Sequence, residues 1–256
     1  MEAPLLLRVV LGAATLLLGC QGGQKAPAGE PALVTPPQRE VAAAPTAPPA
    51  PEPDGAGGSR AATLGTIYVQ ELGERLPEGD LELIRQSLAY FFPNPVTILP
   101  PRELPKAAYY SPRQRYRAEK LLDALSTQTP EDAQVVVGLT TVDISTTKGE
   151  YEDWGILGLA TVSGRECVIS RFRAARGAQN AAHTSQRLAK TVVHEIGHTL
   201  GLPHCPEHSC LMEDGKGSVL TTDHELDFCA ACRQLVGTKV LTAQGPLPWE
   251  PPAHLP

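Results

Sequence analysis

The sequence predicts an α+β domain whose core is a mixed, twisted sheet with helices packed on it. Strand-like and helix-like segments alternate along the middle of the chain, and two strand-like segments follow one another before the last helix. The 256 residues provide for one ordinary domain with extensions, or at most two small domains. The sequence has no internal repeat and no dinucleotide-binding glycine loop, so repeat and nucleotide-binding architectures are disfavoured.

The individual elements are predicted from composition and apolar spacing. Five runs have strand composition, namely Thr66–Leu72, Pro95–Leu99, Gln134–Ile144, Gly155–Val162 and Cys167–Phe172. Three segments have apolar residues at helical spacing, namely Asp80–Phe92, Arg113–Leu125 (with Tyr116 on its inner side) and a helix from about Thr184 to Leu200.

The N-terminal residues 1–19 are typical of an export signal. Their apolar run is too short for a comfortable permanent span and ends in LLGC, which resembles the lipobox of bacterial lipoproteins. We therefore expect Cys20 to be lipidated and to hold an exported protein at the membrane of a bacterial cell envelope. An ordinary cleaved signal peptide with an incidental cysteine is the alternative.

Composition divides the rest of the chain into three parts. Residues 20–61 are dominated by Ala, Pro and Gly and predict a disordered tether, with a propeptide as the alternative. The folded domain is expected at 62–240, followed by a Pro-rich tail at 241–256. The net charge of -6 and the lack of a basic patch argue against a nucleic-acid partner.

The strongest chemical signal is the run HEIGHTLGLPHC, which begins at His194. His194 and His198 are four residues apart, so both imidazoles project from nearly the same face of a helix. Two neutral imidazoles so placed can bind zinc, and Glu195 on the neighbouring flank can take the proton of an attacking water.

A third ligand is predicted after the end of this helix. Gly201 can take the positive φ that turns the chain, Pro203 stops the helix from resuming, and His204 can then return to the metal. The full pattern, HExxHxxGxxH, is the extended signature of metzincins. A short HExxH can occur by chance, but five fixed positions make chance a poor explanation.

Four cysteines follow the motif, namely Cys205, Cys210, Cys229 and Cys232. Their C-x4-C and C-x2-C spacings, separated by a loop, are typical of four thiolates around one structural zinc. Two disulfides are the alternative, because an exported protein meets oxidising conditions. His208 and His224 are nearby in sequence and could replace one ligand, although exposed loop histidines are commoner.

Together these motifs resemble the archaemetzincin (archaelysin) family of zinc peptidases. The resemblance covers roughly Leu64 to Leu235 and includes the upstream segments PRQRYRAEKLL, VVVGLTTVDIS, GILGLA and VISRFR. It implies a metzincin-like fold with a Met-turn at Met212 beneath the metal. This chain departs from the family in two respects: the gap between Met212 and Cys229 is slightly short, and family members are commonly intracellular, whereas this chain is expected to be exported, which weakens the assignment of a second zinc.

The resemblance also implies the metal chemistry. The catalytic zinc would be held by His194, His198 and His204, with Glu195 as general base, and a second zinc would be held by the four cysteines. No tyrosine follows Met212, so stabilisation of the oxyanion would fall mainly to zinc.

The predicted function is hydrolysis of peptide bonds in a peptide or protein substrate by a zinc metallopeptidase. One alternative is a non-catalytic zinc module that binds peptides or an envelope partner, but such a site would not need Glu195. Another is a zinc amidase acting on cell-wall material, since the cleft sets the substrate class and the motif does not. The sequence does not predict the oligomeric state.

Substrate docking is predicted along Gly155–Val162. In metzincins the corresponding strand forms the sheet edge above the zinc, where an extended peptide can add through main-chain hydrogen bonds. Gly155 and Gly158 would allow another backbone to approach closely, and Leu159 would point its N–H outward. The alternative is an interior strand that only fills the core.

Three further residues receive structural expectations only. Gly197 lies inside the motif helix, where glycine lowers helix stability by about 1 kcal/mol relative to alanine. Its presence there predicts close packing at that point. Asp143 and Asp153 are expected to cap turns or support the structure, and neither is assigned a catalytic role.

Overall fold

The computed structural model describes residues 64–237 and 245–250. The predicted signal segment, the lipidation site Cys20 and the tether at 20–61 lie outside the described residues and therefore stay predictions. Within the described part of the chain, every helix is too short or too polar to cross a bilayer.

The described chain forms nine strands and six α-helices. The strands are β1 (Thr66–Leu72), β2 (Val96–Arg102), β3 (Tyr109–Tyr110), β4 (Arg115–Arg117), β5 (Ala133–Thr140), β6 (Ile144–Lys148), β7 (Tyr151–Ile156), β8 (Gly158–Ala160) and β9 (Glu166–Ser170). The helices are α1 (Glu78–Phe91), α2 (Ala118–Ser126), α3 (Arg171–Ala174), α4 (Ala181–Thr199), α5 (Thr221–His224) and α6 (Ala230–Val236).

Two sheets organise these elements. The larger has five strands in the order β2-β1-β5-β9-β8, in which the first four run parallel and β8 is antiparallel to β9 at one edge. The smaller has four strands in the order β3-β4-β6-β7. The mixed sheets and packed helices confirm the predicted α+β class.

The larger sheet carries helices on both faces. Val135 and Val137 of β5 belong to the cluster that includes apolar side chains of α1 and α4, while Val136 belongs to the cluster that includes those of α2. Because successive strand side chains point to opposite faces, β5 reads as a continuous apolar run instead of an alternating one. The motif helix α4 therefore lies against a buried parallel sheet.

The predicted helix Arg113–Leu125 is wrong in its first part. Arg115–Arg117 forms strand β4, and the helix begins only at Ala118. Tyr116 pairs with Ile144 across the smaller sheet, and its ring lies 5.2 Å from that of Tyr109. Tertiary pairing of the backbone overrides a helical pattern of side chains here.

Two predicted strands are each divided in the structure. The run Gln134–Ile144 ends its first strand at Thr140 and begins β6 at Ile144. The run Gly155–Val162 is divided at Leu157, so that its first part completes β7 in the smaller sheet and its second part forms β8 in the larger one. A continuous apolar composition does not reveal where a chain changes sheets.

The predicted strand Cys167–Phe172 ends early, at Ser170. The Ser170 hydroxyl accepts a hydrogen bond from the Arg173 N–H and caps helix α3, so Phe172 is helical and half exposed. Serine at this position is a typical helix N-cap. The Arg173 guanidinium then bonds Asp143, with Nε 2.5 Å from Oδ1.

Part of the expected Pro-rich tail packs into the domain. Trp249 is buried, stacks on Phe91 with ring centroids 5.5 Å apart and donates its indole N–H to the Leu226 carbonyl at 3.1 Å. An aromatic residue that buries its ring and satisfies its N–H belongs to the core. The packed domain therefore extends past the expected boundary at residue 240.

Candidate metal centre

Helix α4 carries the first two predicted ligands. The side chain of Asn180 accepts the His183 N–H at 2.8 Å and caps the helix, which begins three residues before the predicted start. His194 and His198 lie on one face of the helix, and their ring centroids are 4.7 Å apart. Both residues are partly buried.

The end of α4 turns the chain so that His204 meets the other two histidines. Gly201 has φ +89°, its N–H donates to the His198 carbonyl, and the Leu202 N–H donates to the Gly197 carbonyl. These two bonds form a Schellman motif, in which the residue with positive φ is typically glycine. The His204 ring then lies 4.8 Å from that of His198.

The hydrogen bonds of the first two rings fix their tautomers. His194 Nδ1 lies 2.6 Å from the Leu211 carbonyl oxygen, and His198 Nδ1 lies 2.7 Å from that of Leu202. Because a carbonyl can only accept, each Nδ1 must carry the proton, which leaves Nε2 with a free lone pair. The ligand atoms of the three histidines all lie within 4.8 Å of one another.

Burial keeps the His194 and His198 rings neutral. It lowers the pKa of His194 to about 3 and also lowers the pKa of His198, in each case because the charged ring would lose hydration. Three imidazole nitrogens converging on one point form a donor set that fits zinc and leaves a fourth position for other ligands.

Met212, where the family resemblance places a Met-turn, packs against the helix that carries His194 and His198. A Cβ added at Gly197 would come within 2.4 Å of the Met212 sulfur, so only glycine leaves room for the thioether there. The Cys205 N–H donates to the Met212 carbonyl at 2.7 Å, which joins the segment after His204 to the turn. The close packing predicted at Gly197 is thus made by Met212.

Glu195 is buried beside the histidines. Its surroundings raise its pKa to about 8, because a buried carboxylate loses hydration. A Cβ added at Gly158 would lie 2.5 Å from Oε1 of Glu195, so strand β8 passes directly over this carboxylate. Gly158 is therefore needed to make room for Glu195, a different reason from the predicted approach of a substrate backbone.

Gly155 likewise has an internal reason. A Cβ at that position would lie 1.8 Å from the Arg173 guanidinium, which forms an ion pair with Asp143. Asp143 and Asp153 both lie within ion-pair distance of Arg115, at 3.3 Å and 3.4 Å. These groups hold the smaller sheet together and join it to α3, apart from the histidine centre.

A cleft opens beside the histidines, with a cavity of about 150 Å³. Its walls include Trp154 of β7, Thr191 of α4 and the segment after Met212, where Glu213 and Asp214 stand. Glu225 also lines the cleft; it is buried, and one of its carboxylate oxygens makes no hydrogen bond. No sequence pattern singled out these lining residues, because loop and sheet packing alone bring them together.

Strand β8 lies at the edge of the larger sheet, as predicted. The residues whose backbone N–H groups face the open side are not the predicted ones. The Ser170 N–H donates to the Leu157 carbonyl, and the Thr161 N–H donates to the Glu166 carbonyl. Antiparallel bonding alternates, so Leu159 bonds β9, and Gly158 and Ala160 point their N–H groups to the open side. The predicted outward N–H of Leu159 is therefore wrong.

The four cysteines form a separate cluster. The Sγ atoms of Cys205 and Cys229 are 3.7 Å apart, those of Cys210 and Cys232 are 3.8 Å apart, and all four lie within 4.8 Å of one another. Four sulfurs at about 2.3 Å from a tetrahedral zinc would be about 3.8 Å apart. No pair of cysteines in the described ranges forms a disulfide.

His208 and His224 do not join the cysteine cluster. They lie together with Glu213, and their ring centroids are 4.3 Å apart. The two histidines are near the cysteines in sequence, but nothing in the sequence indicated that the Glu213 carboxylate contacts both of them.

The domain combines mixed sheets, three histidines around one point and a carboxylate beside them. This combination is typical of zinc metallopeptidases. A family model described as peptidase family M54 matches residues 76–238. The archaemetzincin of Halobacterium salinarum is 31% identical over 148 residues, which cover 55% of this chain and 82% of that protein. The archaemetzincin of Methanopyrus kandleri is 34% identical over 135 residues, covering 52% and 73%.

Solved structures agree with this assignment. The structure of archaemetzincin from Archaeoglobus fulgidus complexed with malonate matches with a TM-score of 0.56 and 29% identity, over 66% of this chain and 99% of that chain. That from Methanopyrus kandleri matches with a TM-score of 0.59 and 28% identity, over 70% and 96%. The chain belongs to peptidase family M54, the archaemetzincins, and is a zinc metallopeptidase.

Proposed function

We propose that the chain hydrolyses peptide bonds with His194, His198 and His204 as zinc ligands and Glu195 as general base. The observation that carries this proposal is the position of Glu195, buried next to the three converging imidazoles and outside their donor set. When bound, zinc would polarise the scissile carbonyl and lower the pKa of water. The protein would supply the remaining groups.

Glu195 would move the proton. Its carboxylate accepts the proton of the attacking water and delivers it to the leaving amine. A carboxyl whose pKa is raised by burial is a stronger base than an exposed one, and the cation would bring that pKa back toward neutrality. Burial also keeps bulk water away from the proton while it is in transit.

The open side of β8 would orient the substrate. An extended peptide paired there bonds the outward groups of Gly158 and Ala160, and its carbonyl then lies over Glu195. Main-chain pairing binds a peptide without reading its side chains. This arrangement favours a peptide over cell-wall material as substrate.

Gly158→Ala tests this arrangement. The added Cβ would lie within 2.8 Å of three Glu195 side-chain atoms, which must then move. We expect kcat/KM for a peptide selected from a diverse library to fall about 100-fold, because a shift of about 1 Å in a catalytic group has that effect. Zinc content should stay unchanged.

Gly79→Ala is the matched control, since an added Cβ there meets nothing within 4 Å. It should keep wild-type activity. An unchanged kcat/KM in Gly158→Ala would mean that β8 has no part in catalysis. If the wild type cleaves cell-wall amides and no peptides, the amidase alternative is supported.

We also propose that the four cysteines hold a structural zinc. Their sulfur separations of 3.7 and 3.8 Å fit the edge of a zinc tetrahedron. To test this, the protein is denatured with a chelator and without reductant, and its free thiols are titrated. If the four cysteines bind zinc, all four should react, whereas none of them would react if they formed two disulfides. If those thiols appear only after reduction, the cysteines are paired as disulfides.

A lipid anchor at Cys20 is our third proposal, and it rests on the LLGC sequence alone. In a bacterial host, Cys20→Ala should move the protein from the membrane fraction to the soluble fraction. Labelling with a radioactive fatty acid should be lost at the same time. A variant that is still cleaved and still sediments with membranes would require another mode of attachment.

A further inference from the structure

We propose that His208, Glu213 and His224 form a third metal site, distinct from the three-histidine centre and the cysteine cluster. His208 Nδ1 lies 3.4 Å from Glu213 Oε2, and His224 Nε2 lies 3.2 Å from the same oxygen. One ligand atom from each of the three residues lies within 4.8 Å of the others. The two histidines come from different segments and meet only in the fold.

The spacing of the ligand atoms fits a small transition-metal ion. Nitrogen and oxygen ligands about 2.1 Å from a tetrahedral zinc are about 3.4 Å apart. The two separations that involve Glu213 match that edge. His208 Nδ1 is too far from the carboxylate for a good hydrogen bond, so a direct His–Glu bond explains its position less well.

The carboxylate is held in place before any ion binds. The Ser209 N–H donates to Glu213 Oε2 at 3.0 Å, and the Glu213 N–H donates to the Cys210 carbonyl at 2.9 Å. His224 ends helix α5 and is half-buried, whereas His208 is exposed on a loop. A held carboxylate, a half-buried histidine and an exposed histidine make a site that an ion can enter from solvent.

The donor set selects the kind of ion. Two imidazoles and one carboxylate suit Zn²⁺, Co²⁺, Ni²⁺ or Cu²⁺, whereas Ca²⁺ and Mg²⁺ prefer oxygen ligands. An ion there would tie the segment after Met212 to helix α5. Glu213 and Thr221 both line the catalytic cleft, so the ion would fix one wall of that cleft.

Zinc binding by the full chain tests the proposal. We expect wild-type protein equilibrated with saturating zinc to carry one more ion per chain than His208→Ala, counted by native mass spectrometry. His208 is exposed, so its removal should leave the fold intact. His183→Ala is the matched control, because His183 contacts Asp223 and lies outside the cluster. Equal ion counts in wild type and His208→Ala would overturn the proposal.

Thermal unfolding gives a second readout that does not depend on activity. Zinc added after the histidine centre and the cysteine cluster are filled should raise the Tm of the wild type further, since a ligand that binds only the folded state stabilises it. The same addition should leave the Tm of His208→Ala unchanged. The same shift in both proteins, or no shift in the wild type, would also overturn the third site.

Discussion

Replacing Glu195 with glutamine is expected to lower kcat/KM for a peptide substrate by roughly 10²- to 10⁴-fold, the usual contribution of a general base. Glutamine keeps the shape of the side chain but cannot accept the proton. Zinc content should not change, because the carboxylate is not one of the three converging ligands. The measurement is steady-state hydrolysis, paired with metal analysis of the same samples.

The same substitution, Glu195→Gln, should not lower the stability of the metal-free protein, although it lowers activity. The folded-state pKa of Glu195 is about 8 in the metal-free protein, above its ordinary value of 4.5. The unfolded chain therefore loses this proton first, and the wild type loses stability as pH rises from about 4.5 to about 8. Metal-free Glu195→Gln avoids that loss and should be at least as stable at neutral pH.

Glu225→Gln is the comparison variant, since Glu225 is another buried carboxylate of the same cleft, with its pKa also raised to about 8, mainly by burial. We expect its kcat/KM to fall less than tenfold. An equal loss in the two variants would mean that the cleft needs buried negative charge in general, and the specific role of Glu195 would be withdrawn.

Asp223→Ala is expected to destabilise the protein by about 3–5 kcal/mol, as is typical when one partner of a buried ion pair is removed. Asp223 binds the Arg187 guanidinium through two bonds of 2.6 and 2.7 Å. The Arg187 side chain is only 2% exposed, so it would be left as an uncompensated buried charge. Urea unfolding of the wild type and the variant measures the difference.

Two further variants give this result its meaning. Arg187→Met should cost less, because the remaining Asp223 carboxylate is 32% exposed and can be hydrated. Glu82→Ala removes one member of an exposed pair with Arg85 and should change stability far less than Asp223→Ala, because water screens that pair. If Asp223→Ala costs no more than Glu82→Ala, the pair does not anchor α5 to α4.

Much of the fold and the histidine centre could be predicted because their signals are local. The spacing of His194 and His198 is a property of one helix, and Gly201 reports a backbone conformation that few other residues adopt. The parallel strands β1, β5 and β9 could be predicted from composition because most of their residues on both faces are buried. Each of these inferences needs only a short window of sequence.

The rest depends on contacts between distant segments. The change of sheet at Leu157, the strand pairing of Tyr116 and the burial of Trp249 are decided by partners far away in sequence. The same holds for Glu213, which meets His208 and His224 only after two loops have folded. Residue patterns along the chain do not contain this information.

The packing of Gly197 against Met212 constrains how this chain can vary over evolutionary time. A Cβ on the helix would come within 2.4 Å of the sulfur, so the two positions occupy one shared volume. An enlargement at 197 is compatible with the fold only when the side chain at 212 becomes smaller or the turn moves away. Sequence drift at these two sites must therefore be correlated, although fourteen residues of chain lie between them.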